Sequence, residues 1–295
     1  GGRYGLCPDG GVFPMIQGMK VRNAVVRDLT VQGDPKGMRT VQNRYTLSGI
    51  HTFNTIECHF ERVAVRDWPA DGISLQTGDK CRVVRCEATG CLGNGFHPGT
   101  GLTNTVIEEC VGRENGSGLY FCWHNRGHVL RKNTFSANRG GGITGLGNPG
   151  DRGNLLEENV IERNGGPGIE INGGIVSNNI LRRNVIRDNS TSAPGKHPGI
   201  ALHASVEDAR AYTIEGNTIE STTNPPTQWV GIEEKAGKRG DKLTVCDENV
   251  IRGNKLSGHK TADIILVGPK TVCEDNGDAK VVRNIAPEAP AAPAK

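Results

Sequence analysis

A Gly followed by an apolar residue recurs along this chain at a nearly fixed distance. The pairs are Gly49-Ile50, Gly72-Ile73, Gly95-Phe96, Gly118-Leu119, Gly142-Ile143, Gly168-Ile169, Gly199-Ile200 and Gly231-Ile232, with spacings of 23, 23, 23, 24, 26, 31 and 32 residues. A period that lengthens late in the chain is what a stack of similar turns with growing loop insertions produces. A second signature falls between the pairs: Val-Leu-Arg-Lys-Asn133, Leu-Leu-Glu-Glu-Asn159, Ile-Leu-Arg-Arg-Asn184 and Thr-Ile-Glu-Gly-Asn217. Cys86 and Cys110 take the Asn place in earlier repeats and Asn254 in a later one, while Asn138, Asn164 and Asn189 recur five residues further on.

Each repeat therefore holds short alternating apolar runs punctuated by Gly and Asn. Such runs read as short strands joined by tight turns, because Gly and Asn tolerate left-handed backbone angles. A repeat of 23 residues leaves no segment for a crossover helix, and the LxxLxL register of leucine-rich repeats is missing. The expected fold is all-β, a parallel β-helix of about ten coils stacked about 4.8 Å apart, with Ile, Leu and Val filling the bore and Asn laddering at the turns. Composition agrees: Gly is 42 of 295 residues, about twice the roughly 7% of ordinary proteins. Aromatic residues are only 4%, so the core is built from small and β-branched side chains.

The Gly-Ile and Ile-x-x-Asn ladders resemble the right-handed parallel β-helix superfamily of pectate-lyase-like proteins, in the broad sense, over about residues 18 to 285. The stretches Asp71-Gly-Ile-Ser-Leu-Gln76, Gly95-Phe-His-Pro-Gly-Thr-Gly101 and Gly118-Leu-Tyr-Phe-Cys122 look like a bacterial subgroup of it. The resemblance implies a right-handed coil and a carbohydrate substrate. The Asn-Thr-Asp, Asp-Asp and Gly-His-Gly set of polygalacturonases is absent, as is the Arg-x-Pro-x-x-Arg of the main pectate lyase branch. Neither catalytic set carries over. Residues 1–17 are expected to be a lead-in segment, 18–285 the β-helix and 286–295 a Pro/Ala-rich tail or linker.

Lys plus Arg number 35 against 32 Asp plus Glu, a net charge of +3, which gives no bulk-charge argument for a nucleic-acid partner. No run of eighteen apolar residues is present, so no membrane span is expected. The expected location is secreted or periplasmic; the chain shows no export signal, yet it begins Gly1-Gly2-Arg3 without Met, which leaves removal of a leader open. Nine Cys without CxxC pairs leave at least one thiol free or paired between chains. Cys58, Cys86 and Cys110 are expected in or near the bore. Cys246 and Cys273 either form a disulfide or stack, and Cys122 is exposed but has no Cys-His-Asn order in the sequence to activate it.

With the residue after Gly in the bore, alternation turns the next residue and the one two later outward. That stripe reads His51 and Phe53, Ser74 and Gln76, His97 and Gly99, Tyr120 and Cys122, Thr144 and Leu146, Glu170 and Asn172, Ala201 and His203, Glu233 and Lys235. A face carrying three of the eight His together with Tyr, Glu and Lys differs from a solubilising surface, and it is the candidate groove for an extended polysaccharide or oligosaccharide. The catalytic candidates are His97, Tyr120, His124, Arg126, Asp151 and Glu170. Binding candidates are His51, Gln76, Arg152, Asn172, His203, Glu233, Lys235 and Trp229, the last as a stacking platform or a loop anchor. The insertions near 190–197 and 222–229 are candidate walls.

Three readings follow. In β-elimination or C5 epimerisation of an acidic sugar, His97 or His124 takes the proton beside the carboxylate, Tyr120 supplies an acid, and Arg126 or Arg152 grips the carboxylate. Hydrolysis instead needs two carboxylates, drawn from Asp151, Glu170 and Glu233. A binding or surface module needs no chemistry at all. Glu170, Asn172 and Asp151 offer three of the six to eight oxygens that calcium takes, so no metal and no cofactor are expected. Oligomeric state has no signal in the sequence.

Overall fold

The computed structural model describes residues 14–34 and 48–284. All regular elements in them are β-strands, and no helix there is long and apolar enough to cross a membrane. The strands that follow the Gly-apolar pairs stack into one parallel sheet, from Ile16–Met19 through Ile50–Ile56, Ile73–Asp79, Asn94–Pro98, Ser117–Tyr120, Ile143–Leu146, Ile169–Ile171, Ile200–His203, Val230–Lys235 and Ala262–Leu266 to Val281–Arg283. Its register follows the repeat, with Ile50 opposite Ile73, Ile73 opposite Phe96, Phe96 opposite Leu119, and so on to Ile232 and Ile264. A second parallel sheet of 17 strands takes two short strands from most coils, such as Val129–Arg131 and Thr134–Ser136.

The two sheets enclose the bore. Ile73, Leu119, Ile143, Ile169, Ile200 and Ile232 face Leu130, Leu156, Leu181, Phe135, Ile161 and Ile186, all of them fully buried. Burying side chains of this size is worth about 1.5–3 kcal/mol each against exposure, and the repeat supplies two or three per coil. Between the paired strands of the second sheet the chain bends at Lys132, Glu158 and Arg183, each with φ between 52° and 56°. The left-handed position is therefore held by charged residues with exposed side chains, and the Asn that follows turns inward instead. Left-handed geometry costs a non-Gly residue about 1–2 kcal/mol, and the inward amide offsets it.

That amide ladder is continuous. The backbone N–H groups of Asn133, Asn159, Asn184, Asn217 and Asn254 donate to the side-chain oxygen of the next Asn in line at 2.9–3.0 Å, ending on Asn276. Cys86 and Cys110 hold the same place upstream: Cys110 N donates to Asn133 Oδ1 at 2.9 Å and Cys86 N to Cys110 Sγ at 3.4 Å. A second ladder joins Asn115, Asn138, Asn164 and Asn189 and ends on Gln228. On the outer surface of the second sheet, Arg and Glu alternate between coils in ion pairs such as Arg131–Glu108 at 2.7 Å and Arg182–Glu157 at 2.9 Å.

One expectation is corrected and one open alternative is settled. Leu146 lies in the bore, not on the outward stripe, because Gly145 at φ 75° breaks the alternation and the register shifts between Ile143 and Leu146. Cys246 and Cys273 form no disulfide; every cysteine among the described residues is a free thiol, and Cys58, Cys86 and Cys110 are buried. At the end of the expected lead-in segment, Ile16 and Gln17 pair with Ile50 and His51. Residues 1–13 of that segment and the 286–295 tail lie outside the described residues.

Candidate functional site

Outward positions of the first sheet line up across coils: His51 with Ser74, Ser74 with His97, Tyr120 with Thr144, Glu170 with Ala201, and Ala201 with Glu233. The early part of this stripe is covered. His51, Ser74 and His97 are 5%, 0% and 1% exposed, whereas Tyr120, Thr144, Glu170 and Glu233 are part-exposed. Two clusters of titratable groups form on it.

The first is centred on His97. Its Nδ1 lies 2.7 Å from Asp71 Oδ2, and Asp71 Oδ1 accepts from Asn94 N at 2.7 Å and Asn94 Nδ2 at 3.1 Å. Asp71 is thereby fixed on both oxygens and fixes the imidazole in turn. The Tyr120 ring meets His97 edge-on, with centroids 5.2 Å apart at 74°. Gly145 leaves room for that ring: a Cβ there would stand 2.6 Å from Tyr120 Cε2. The Cys122 thiol stands on the following coil, its Sγ 3.0 Å from Thr100 Oγ1. Burial acts to lower the His97 pKa, but the Asp71 carboxylate and the nearby Cys122 sulfur outweigh it and raise it to about 9. Burial acts to raise the Cys122 thiol, and the neighbouring His97 and the Thr100 hydroxyl bring it below its ordinary value. The arrangement is a buried Asp–His pair with a thiol nearby.

Asp151 lies close behind. It is 3% exposed and accepts from Asn125 N at 2.7 Å on Oδ1, while Oδ2 has no hydrogen-bond partner among the described residues. Burial pushes its pKa up to about 8 against backbone N–H bonds that act to lower it, so the carboxyl is protonated at neutral pH. His124, expected on a loop, is exposed with φ 61°, and its N donates to Pro149 O. Arg126 Nε donates to Gly150 O at 3.2 Å, and the Arg126 backbone bridges to Thr103 and Arg152, which hold the matching places on the neighbouring coils.

The second cluster is Glu170, His197, His203 and Glu233. His203 Nε2 is 2.9 Å from Glu233 Oε2. Burial raises the Glu170 pKa, partly opposed by the charges of His203 and His197. The remaining candidates have structural partners. Gln76 donates to Ser74 Oγ at 2.8 Å and accepts from Thr100 N, lying across Gly99. Asn172 anchors Ser205 and Val206. Lys235 is exposed beside His203. Trp229 packs half-buried against the Val230, Ala262 and Ile265 cluster, so it anchors its loop. Trp123, which the sequence reading passed over, is 53% exposed immediately beside Cys122. Among the described residues, no three His, Cys, Asp or Glu side chains converge as a metal site requires.

Asp71 is the participant that the sequence did not single out. His97 stands 26 residues after Asp71, about one coil. A search for titratable groups one coil apart finds the pair.

The family described as right handed beta helix region matches residues 48–219 and again 144–286. This chain belongs to that family. No curated protein matches the sequence. Among solved structures, the fold is similar to a mannuronan C-5 epimerase A-module from Azotobacter vinelandii, with a TM-score of 0.64 at 19% identity over 89% of this chain and 78% of that one. It is similar also to a periplasmic alginate epimerase, at TM-score 0.56 and 13% identity over 90% and 72%. A family 28 exopolygalacturonase from Yersinia enterocolitica gives 0.56 at 15% over 81% and 47%.

Proposed function

We propose that this β-helix is a carbohydrate-active enzyme that works, outside the cytoplasm, on an extended acidic polysaccharide, breaking the C5–H bond of a uronic acid residue. The observation that carries the reading is the buried Asp71–His97 pair beneath Tyr120 and Cys122 on the outer face of the first sheet. Two similar folds bearing the names mannuronan and alginate epimerase support it. Coils about 4.8 Å apart give a polymer lying along the stripe roughly one coil per sugar.

In this reading His97 is not the base. An imidazole held protonated up to about 9 does not accept a proton at neutral pH. It supplies a fixed positive charge under the site, where negative charge develops in the transition state. Arg126 retains N–H groups for a substrate carboxylate, and Tyr120 offers an O–H as acid. Loss of the C5 proton then leads either to cleavage of the C4–O bond or to proton return from the other face.

The test is a panel of uronic-acid and neutral polysaccharides, recording unsaturated-uronide absorbance and reducing ends together. Both signals rising on a polyuronate, or C5 inversion without cleavage, is the expected result. Cleavage confined to neutral polymers would refute it. One observation favours a second reading, glycoside hydrolysis: Asp151 is held protonated near neutral pH, as a general acid must be, with Glu170 as its partner carboxylate. That reading expects reducing ends without unsaturated product.

A further inference from the structure

We propose that the hairpin Gly237–Thr244 is a binding element for the acidic polysaccharide, with Arg239 and Lys242 gripping a carboxylate about four sugars beyond the ring at Tyr120. The inference rests on the proposed function and deepens it, because it makes the preferred substrate a polymer and not a short oligouronate.

The hairpin departs from the repeat. The strands of the two large sheets pair in parallel, whereas Gly237–Arg239 and Lys242–Thr244 pair antiparallel across Gly240 and Asp241. They leave the coil directly after Lys235, the last residue of a first-sheet strand and the register partner of His203. Their base is fixed on the preceding coil. Thr244 Oγ1 donates to Ala204 O, and a Cβ at Gly237 would collide with the same carbonyl oxygen. Arg239 Nη1 donates to Val206 O at 3.4 Å. Positions alternate along a strand, so Gly237, Arg239, Lys242 and Thr244 share one face. The contacts to Ala204 and Val206 turn that face back along the stack, toward the coils that carry Glu170 and Tyr120. Lys238 and Leu243 take the opposite face, with Lys238 Nζ 3.9 Å from Asp241 Oδ1.

Charge points to the partner. Residues 235–243 hold four cations, Lys235, Lys238, Arg239 and Lys242, against the single carboxylate of Asp241, a net +3 that equals the net charge of the whole chain. The rest of the chain therefore sums to zero, and the excess stands on one exposed projection. Arg239 lies directly opposite Lys242. Like charges so placed destabilise a strand pair, and a carboxylate bound between them relieves the repulsion. Tyr120 and Glu233 lie on one stripe four coils apart, about 19 Å at the spacing of hydrogen-bonded strands. A polymer on that path passes Glu170 and Glu233. His203 pairs with Glu233 at 2.9 Å and burial raises the Glu170 pKa, both of which lessen the repulsion of a polyanion.

The full chain and two variants test the assignment: Arg239→Gln with Lys242→Gln together, and Lys238→Gln alone. Affinity is read from retardation in gels containing alginate, polygalacturonate, neutral dextran or DNA, and turnover from C5 exchange on the polyuronates. The double variant should bind a polyuronate about three- to tenfold more weakly at low ionic strength, the range expected for two exposed ion pairs. The difference should close near 1 M salt, where the screening length is about 3 Å. Lys238→Gln, on the other face, should change affinity by less than about twofold. All three side chains are exposed, so melting temperatures should hold. KM on the polymer should rise with kcat unchanged, whereas oligouronates of about three sugars are too short to reach the hairpin and should not distinguish the variant from the wild type. Undiminished affinity in the double variant, an equal loss in Lys238→Gln, or an equal rise in KM on the short oligomer would overturn the assignment and leave the proposed function standing. Hairpin-dependent binding to DNA as tight as to a polyuronate would overturn the choice of a sugar polymer. A wild type that binds polyuronates through Arg239 and Lys242 yet exchanges no C5 proton would overturn the proposed function and leave the hairpin as a polymer-binding element.

Discussion

At the bend of the second sheet one residue type holds one place coil after coil, while the outward positions of the first sheet change residue at every coil. Asn133, Asn159, Asn184, Asn217 and Asn254 each repeat the same bonds with their neighbours. His51, Ser74, His97, Tyr120, Thr144, Glu170, Ala201 and Glu233 repeat nothing. Both rows are set by the same stacking, so the difference lies in what each row is selected to do. A ladder of like residues satisfies buried backbone groups and is worth most when unbroken. A row of unlike residues gains nothing from stacking, and its buried charges cost free energy unless they are paired. Asp71–His97 and His203–Glu233 are pairs of that kind. The Arg–Glu rows outside the second sheet are a third case, repetitive but solvated, and each exposed pair contributes about 0–1 kcal/mol.

The contrast is broken or sharpened by substitution. The largest effect belongs to the unlike row. Tyr120→Phe should lower the turnover of a polyuronate by about 10²–10⁴-fold while leaving the melting temperature near that of the wild type; a variant that melts early with undiminished turnover would make Tyr120 structural. On the like row the pattern reverses. Asn159→Ala takes the acceptor from Asn133 N and the side-chain donor from Leu130 O, while Asn133 Nδ2 keeps Ile107 O and Asn184 Oδ1 keeps the N–H of residue 159. It should cost about 3–5 kcal/mol in urea denaturation, at about 1–3 kcal/mol for each unsatisfied buried group. A loss below about 0.5 kcal/mol would remove the ladder from the account.

Asp151 sits between the two rows and gives a pH signature. Its folded-state pKa of about 8 exceeds its ordinary 3.8, so between those values the folded protein binds more protons than the unfolded chain. Stability from this group is therefore fully present below about pH 4 and is lost as pH rises through about 8. Asp151→Asn keeps an oxygen for Asn125 N and should flatten the decline between about pH 4 and 8, read from denaturation midpoints. An unchanged slope would contradict a protonated Asp151. The smallest effect is expected at Cys110→Asn, which places an amide where the ladder already has an acceptor from Val83 O and a donor at Cys86 N. The change should be neutral or stabilising by up to about 1 kcal/mol; a clear loss would show that the early coils need a smaller side chain there.

Legibility in the sequence followed the same division. The bore and the ladders could be read because repetition is visible one residue at a time, and even the Cys replacements at 86 and 110 fell in place. Leu146 could not, since the left-handed Gly145 shifts alternation without altering the spacing of the Gly-apolar pairs. Nor could the Asp71–His97 pair, because order along the sequence ignores that a solenoid makes neighbours of residues one coil apart. His97 was legible as an outward position of the stripe but not as the partner of Asp71, since that contact is buried and crosses between coils. Nor could the sequence choose between platform and anchor for Trp229 or single out Trp123, because exposure is decided by what packs against each, Val230 and Ile265 in the one case and solvent in the other.

The central claim is that the outer face around Tyr120 and Cys122 breaks the C5–H bond of a uronic acid. The most direct measurement is deuterium entry at C5 of polyuronates incubated with the protein in D2O, followed by NMR. The account predicts C5 deuterium in at least one polyuronate with the wild type, and its loss with Tyr120→Phe. Absence of C5 deuterium from every polyuronate, with the protein folded, or equal exchange in wild type and variant, would contradict it.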